Sequence, residues 1–270
     1  MPCKVAFIAL TDSSFHKEEL MRNFFSEDSS HRYNLYIHNK NEIKSDFFKK
    51  FAIPDDYKVE TEWGKYSIIL AMVRSIMFAL QDTDNKKFII ISESHIPLYG
   101  MNQMCDLIFE KYPVTSFSWS PREEKWSSPR LKGMIKDQNR SPFDSNHAKF
   151  AAQWFVCNRG DAEVFCKNEI KLRKYFDTSA LCMPDEIYFH LIARYFNFNI
   201  QYKTNCHVNW NLPSHRSLIS SGHRSKPKTY SKISNKFINI LRQKSDCIFL
   251  RKVYDKTIID EEFLLKYYDR

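Results

Sequence analysis

Lys87–Leu98, KFIIISESHIPL, decides the fold. Phe88, Ile89, Ile90 and Ile91 form a continuous apolar run, bounded by charge before it and by Ser92-Glu93-Ser94 after it. A helix can also be apolar throughout, but this run is short and rich in β-branched residues, which favours a strand. A strand without alternation is buried on both faces, as in a parallel sheet flanked by helices. The polar Ser92-Glu93-Ser94-His95 that follows, broken at Pro97, then marks a carboxyl end, where open α/β sheets gather their ligands. A core strand followed by an ordinary turn has the same pattern, so this stretch alone does not choose between them.

Outward from it, the chain alternates. Lys4–Leu10 (KVAFIAL) and Tyr33–His38 (YNLYIH) read as strands. The first runs into Thr11-Asp12-Ser13-Ser14, a polar turn of helix-capping type, and the second into Asn39-Lys40. Leu20, Phe24 and Phe25 fall at helical spacing, and Ile69, Val73, Ile76, Met77 and Leu80 form one face of a helix over Tyr66–Leu80. A short helix around Leu107 and Ile108 is followed by strands over Val114–Trp119 and Gln153–Cys157. Asp161–Tyr175 is predicted helical, with Val164, Phe165, Ile170 and Leu172 apolar. Pro184 is expected to open a helix running to about Phe196, since proline suits a first helical turn. One or two strands over Ile200–Trp210, a helix through Ile233, Phe237 and Leu241, and a strand over Cys247–Val253 complete the series. The alternation predicts an α/β fold with a central, mostly parallel sheet flanked by helices. With no repeat or convincing linker, residues 1–270 read as one domain with its core from 4 to about 255. Ser120–Lys149 and Asn211–Thr229 read as long basic loops, of a length that usually serves function or is disordered.

Composition narrows the chemistry. With 43% hydrophobic residues the chain can bury a sizeable core, and with five glycines it has neither GxGxxG nor GxxxxGK[ST]. The formal net charge of +9 favours anionic partners, although basic surfaces also serve solubility. Seven scattered cysteines without CxxC argue against a zinc ribbon, and an odd count without a signal peptide fits a reducing compartment. No apolar stretch approaches membrane-spanning length.

Three groups of residues could carry chemistry. Pro184-Asp185-Glu186 places two carboxylates in the expected first turn of a helix. Acids there also simply complement the helix dipole, and adjacent positions point apart, so the two are not expected to share a proton. Lys226 and Lys228 in a loop, and Arg251-Lys252 at a strand end, could meet a diphosphate, although solvated lysines look the same. Asp82-Thr83-Asp84 has the DxD form that many nucleotide-sugar transferases use to hold a metal, but it precedes the central strand and so lies at the wrong end. It reads as a turn. At the right end stand only Glu93 and His95, too few for a magnesium or manganese site. Trp63, Trp154 and Trp210 sit at element edges, where they could stack on sugar or uracil rings or be ordinary core.

Taken in order, KVAFIAL, YIHNK, WGKYSIILAMVRSIMFAL, FIIISESHIPL, QWFVCNRGDAEVF, MPDEIYF, HVNW, KPKTY and IFLRKVYD resemble the core-2/I-branching β-1,6-N-acetylglucosaminyltransferases and their peptide O-xylosyltransferase relatives. Each stretch alone is weak; their order and spacing, from Lys4 to Asp255, are specific. The resemblance implies a GT-A-like fold, a UDP-sugar donor, a glycan or glycoprotein hydroxyl as acceptor, inversion at the anomeric carbon, and catalysis with no metal or other cofactor. By position it makes Glu186 the catalytic base and Lys252 a phosphate-binding lysine, with Lys228 and Arg251 as further phosphate cations. Asn39 falls where an acidic nucleotide contact is frequent in the family; for such a reaction Thr11 and Trp63 are expected beside it at the nucleotide, and Asp185, Trp210, Trp154, Glu93 and Arg130 at the acceptor. Three positions depart from the family pattern: His95 replaces a common Asp, Ala151-Ala152 a frequent Gly-Ser, and Lys226-Pro227 a His-Pro.

The rival expectation is a non-catalytic basic protein for nucleic acid or acidic glycans. The charge suits it, but no RRM, KH or zinc-finger arrangement is present, so no nucleic-acid partner is expected. Without a span in the chain, the expected location is the cytoplasm of a bacterium or virus-infected cell, or the Golgi lumen if an anchor lies outside it.

Overall fold

The computed structural model describes residues 3–26, 31–118, 142–144, 147, 150–177, 183–209 and 227–260. Its strands are β1 (Lys4–Thr11), β2 (Tyr33–Asn39), β3 (Asn85–Ser92), β4 (Ile96–Pro97), β5 (Thr115–Phe117), β6 (Phe155–Asn158), β7 (Ile200–Tyr202), β8 (Cys206–Val208), β9 (Lys232–Ile233), β10 (Phe249–Arg251) and β11 (Ile258–Ile259). Its helices are α1 (Glu18–Ser26), α2 (Asp46–Lys49), α3 (Ser67–Ala79), α4 (Met101–Lys111), α5 (Arg159–Arg173), α6 (Tyr188–Tyr195) and α7 (Asn235–Lys244).

Six strands form the central sheet in the order β2-β1-β3-β6-β5-β7. The apolar runs read from sequence are its centre: Val5–Ala9 of β1 and Phe88–Ile91 of β3 are buried, as strands covered on both faces must be. β1 pairs in parallel with both β2 and β3, so Leu10 stands between His38 and Ser92 and all three strands end at one edge. α3 packs on β1, β2 and α5, while Phe7 meets Phe24 and Phe25 of α1 and Phe249 of β10, edge to face.

The sheet is mixed: β1 with β2, β1 with β3 and β5 with β7 pair in parallel, as expected, and β6 alone is reversed. β6 runs antiparallel to both β3 and β5. It enters at the edge where β5 ends and runs back, so no return across the sheet is needed; a parallel neighbour would have required one. The expected last strand contributes only Phe249–Arg251, and to a second sheet, β4-β10-β8, not to the central one.

Two helix expectations also change. α1 begins at Glu18, so Thr11–Ser14 does not cap it; the Asp12 carboxylate instead accepts from the Asn41 side chain at 3.0 Å. The predicted helix from Pro184 is broken: Pro184–Glu186 is a 3-10 turn, and α6 starts only at Tyr188. Within α5, Ile170 faces outward at 82% exposure.

The DxD segment is a turn at the amino edge of the sheet. Asp82 accepts from Lys4 Nζ at 3.0 Å and Asn34 Nδ2 at 2.8 Å, and from the Asp84 backbone N–H at 2.8 Å. Cys105, Cys157, Cys206 and Cys247 are buried free thiols.

Candidate active site

The carboxyl edge of β1, β2 and β3 is where unpaired polar groups collect. Thr11 and Asn39 are register partners at the ends of β1 and β2. Thr11 Oγ1 and Asn39 Oδ1 are both buried without a hydrogen-bond partner among the described residues. Buried polar atoms are nearly always paired in native folds, so two orphans side by side mark a place where something else supplies the partner. Beside them the Asp12 N–H donates to the Glu93 carboxylate at 3.2 Å. Burial raises the Glu93 pKa, against that bond and the nearby His16 and Arg251.

His95 lies under this edge, fully buried. Its Nδ1 accepts the Ser92 backbone N–H at 3.0 Å, which places the ring proton on Nε2. Burial, with Arg251 adjacent, pushes its pKa well below the usual histidine range, so the ring is neutral.

The two acids of the Pro-Asp-Glu segment sit on the 3-10 turn ahead of α6. This weakens the helix-dipole explanation for them, because neither lies within the first α-helical turn. The turn is entered through Met183, which is left-handed at φ 56°, and its N–H donates to the Gly64 carbonyl at 3.2 Å. The Ala151 N–H donates to the Glu186 carbonyl at 2.7 Å. Below, Tyr66 donates to the buried Glu169 at 2.9 Å, which Arg173 also holds, and the Tyr66 ring meets that of Tyr188. Glu186 is thus half-buried on a turn fixed from two directions. Asp185 is buried, its Oδ1 has no hydrogen-bond partner among the described residues, and burial pushes its pKa up to about 6.

β10 brings the cations. The Arg251 guanidinium lies 4.7 Å from the centroid of the buried Trp154 ring, and Lys252 Nζ lies 5.1 Å from that of Tyr254. Val253 N–H donates to the Ser94 carbonyl at 3.0 Å, which stitches this strand end to the turn after β3. Tyr254 stacks on His16 at 4.4 Å, and Lys17 Nζ donates to the Asp255 carbonyl at 2.7 Å. Burial lowers the Arg251 pKa; Glu93, Tyr254 and Glu186 oppose that.

The remaining expected residues divide. Lys228 is exposed, its N–H donating to the Asn209 carbonyl at 2.7 Å. Trp63 is 76% exposed next to Gly64, as a stacking platform would be. Trp154 is buried beneath His95 and Arg251, the core alternative weighed for it. Trp210 and Arg130 lie outside the described residues. Among the described residues there is no group of three or more metal-ligating side chains.

The sequence model of the family described as Core-2/I-Branching enzyme matches residues 5–242. The chain belongs to the core-2/I-branching enzyme family. It is also similar to a glycosyltransferase of rice, BC10 of Oryza sativa subsp. japonica, at 24% identity over 179 residues. That match takes in 64% of this chain and 42% of the rice protein, so the chain spans less than half of that relative. No helix among the described residues is long and apolar enough to cross a membrane.

Sequence reading missed Tyr254, whose ring lies under Lys252, and His16, whose ring packs against Tyr254. The only available signal was the tyrosine two residues beyond the late lysine, and a tyrosine there has no distinctive spacing.

Proposed function

We propose that this chain is an inverting, metal-independent glycosyltransferase with a GT-A-like single domain. It moves a sugar, GlcNAc or xylose, from a UDP-sugar to a hydroxyl of a glycan or glycoprotein. The observation that carries this reading is the place of Glu186. In a chain of this family, it stands half-buried on a turn fixed through Gly64 and Ala151.

In the proposed reaction Glu186 takes the proton of the acceptor hydroxyl while that oxygen bonds to C1 of the donor sugar. The bond from C1 to the UDP oxygen breaks on the opposite face, and the proton remains on the Glu186 carboxyl. A general base must reach the hydroxyl within about 2.6–3.2 Å. Lys252 and Lys228 meet the charge that develops on the leaving diphosphate, in the place a Lewis-acid metal takes elsewhere. Thr11, Asn39 and Trp63 are proposed to hold the nucleotide. Asp185 and Glu93, with Trp210 and Arg130, are proposed to face the acceptor.

The test is transfer and UDP calorimetry on Glu186→Gln, which keeps the size of the side chain and removes the proton acceptor. Transfer should fall about 10²–10⁴-fold, the range of a general base, with UDP affinity nearly unchanged. Near-normal turnover in the folded variant would dispose of the base. A wild-type protein that ignores UDP but binds nucleic acid in a steeply salt-dependent way would dispose of the enzyme.

A further inference from the structure

The two lysines proposed to meet the diphosphate stand on different segments. Lys228 is exposed, two residues ahead of Tyr230, and Lys252 is half-buried just past β10. Two ammonium groups repel each other, so their own chemistry does not hold them at the spacing of one diphosphate. The fold has to impose that spacing. The Tyr230 N–H donates to the Lys252 carbonyl at 3.1 Å, which makes a first join between the segments. Further along, β9 pairs in parallel with β11, and the Ile258 N–H donates to the Ser231 carbonyl at 2.9 Å.

Between these joins lies Thr257, which is buried. Its hydroxyl donates to the Tyr230 carbonyl at 2.6 Å and accepts the Tyr254 N–H at 3.1 Å. A hydroxyl has one proton to give and lone pairs to receive, so one oxygen serves both segments at once. The Thr257 N–H also donates to the Tyr254 carbonyl at 2.9 Å, which closes a tight turn over 254–257. Each partner of the hydroxyl leads to a lysine. Tyr230 holds the Lys252 carbonyl and follows Lys228 by two residues, and Tyr254 carries the ring that lies 5.1 Å from Lys252 Nζ. Resting on the reading of Lys228 and Lys252 as the diphosphate cations, we propose that Thr257 is a positioning residue for the donor. Its hydroxyl ties the Lys228 segment to the ring under Lys252 and so sets the distance between the two ammonium groups. Charge stabilises a leaving group best when it is already in place, and this bond keeps it there.

Thr257→Val keeps the shape of the side chain and removes the hydroxyl. Thr257→Ala removes it with less bulk, should the valine variant not fold, and Thr257→Ser keeps it. Each folded variant is titrated with UDP by calorimetry and with uridine, which has no phosphate, by proton NMR. The ratio of the two affinities is the readout, because a general loss of structure weakens both ligands alike. In Thr257→Val and Thr257→Ala the UDP affinity should fall about five- to tenfold, the scale of a lost hydrogen bond, while uridine stays within about twofold. Thr257→Ser should bring the ratio back to within about twofold of the wild type. A ratio that does not move when the hydroxyl is removed, or an equal loss for both ligands, overturns the proposal. Lys228→Ala and Lys252→Ala are titrated beside these variants. If neither lowers the ratio, the lysines do not meet the phosphates, and the reading beneath the proposal fails together with it. If they lower it and Thr257→Val does not, the positioning role alone falls.

Discussion

Met183 donates its backbone N–H to the carbonyl of Gly64 at 3.2 Å, and both residues are left-handed, at φ 56° and 75°. This bond ties the exposed Trp63 corner to the turn that carries Asp185 and Glu186. It makes the position of the proposed base depend on a glycine more than a hundred residues away in sequence.

Gly64→Ala tests that dependence. A Cβ at Gly64 meets nothing within 4 Å, so the cost is conformational and not steric. A left-handed alanine costs roughly 1–2 kcal/mol. Gly160, in the first turn of α5, also has open space around it but no positive φ, so Gly160→Ala should stabilise by up to about 1 kcal/mol. Urea midpoints should therefore move in opposite directions, and Gly64→Ala alone should lower kcat. Equal shifts in the two variants would show that the left-handed corner imposes no constraint.

Asp185 should leave a signature in the pH dependence of stability. Its carboxyl is pushed up to about 6 by burial, above the usual aspartate value of about 3.9, so the folded state binds the proton better than the unfolded chain does. The contribution is therefore full below about pH 4 and lost as pH rises through about 6. Asp185→Asn, neutral throughout, should gain on the wild type between pH 4 and 8 by up to roughly 2–3 kcal/mol, at 1.36 kcal/mol per pH unit. Urea unfolding of both proteins at the two ends of that range reads the difference directly. A gap that does not change with pH would mean that the carboxyl is not desolvated in the folded protein. If Asp185 orients and Glu186 takes the proton, as proposed, transfer should fall less in Asp185→Asn than in Glu186→Gln.

What was legible in the sequence follows a physical divide. The runs VAFIA and FIII announced buried parallel strands because burial on both faces leaves an unmistakable local pattern. The reversal of β6 and the separate β4-β10-β8 sheet left no such pattern, since pairing partners about 40 to 150 residues apart are fixed by tertiary packing. The break at Ile187 was hidden because Pro184 suits a 3-10 turn and an α-helix equally well. Within the site, the importance of Glu186 came from family resemblance, for two acids after a proline are common in any helical start. The seat of Arg251 on Trp154 was illegible, because a cation at a strand end ordinarily reads as solvated.

The last prediction concerns the leaving group. If ammonium groups alone meet the diphosphate, transfer should survive EDTA, and Lys252→Ala should cut it by roughly 10²–10³-fold, the scale of losing a preorganised charge-stabilising group. Lys252→Arg should not restore it, because a planar guanidinium cannot occupy the position of an ammonium without shifting. Asp82→Ala should leave kcat intact yet lower stability, since Asp82 holds Lys4 and Asn34 at the far edge of the sheet. A metal held through Glu93 predicts the reverse: EDTA abolishes transfer, Mn²⁺ restores it, and Glu93→Ala is as damaging as Lys252→Ala. The assay should run the folded variants with and without chelator. Activity that requires added metal would remove the ammonium mechanism while leaving the fold, the family and the role of Glu186 as they stand.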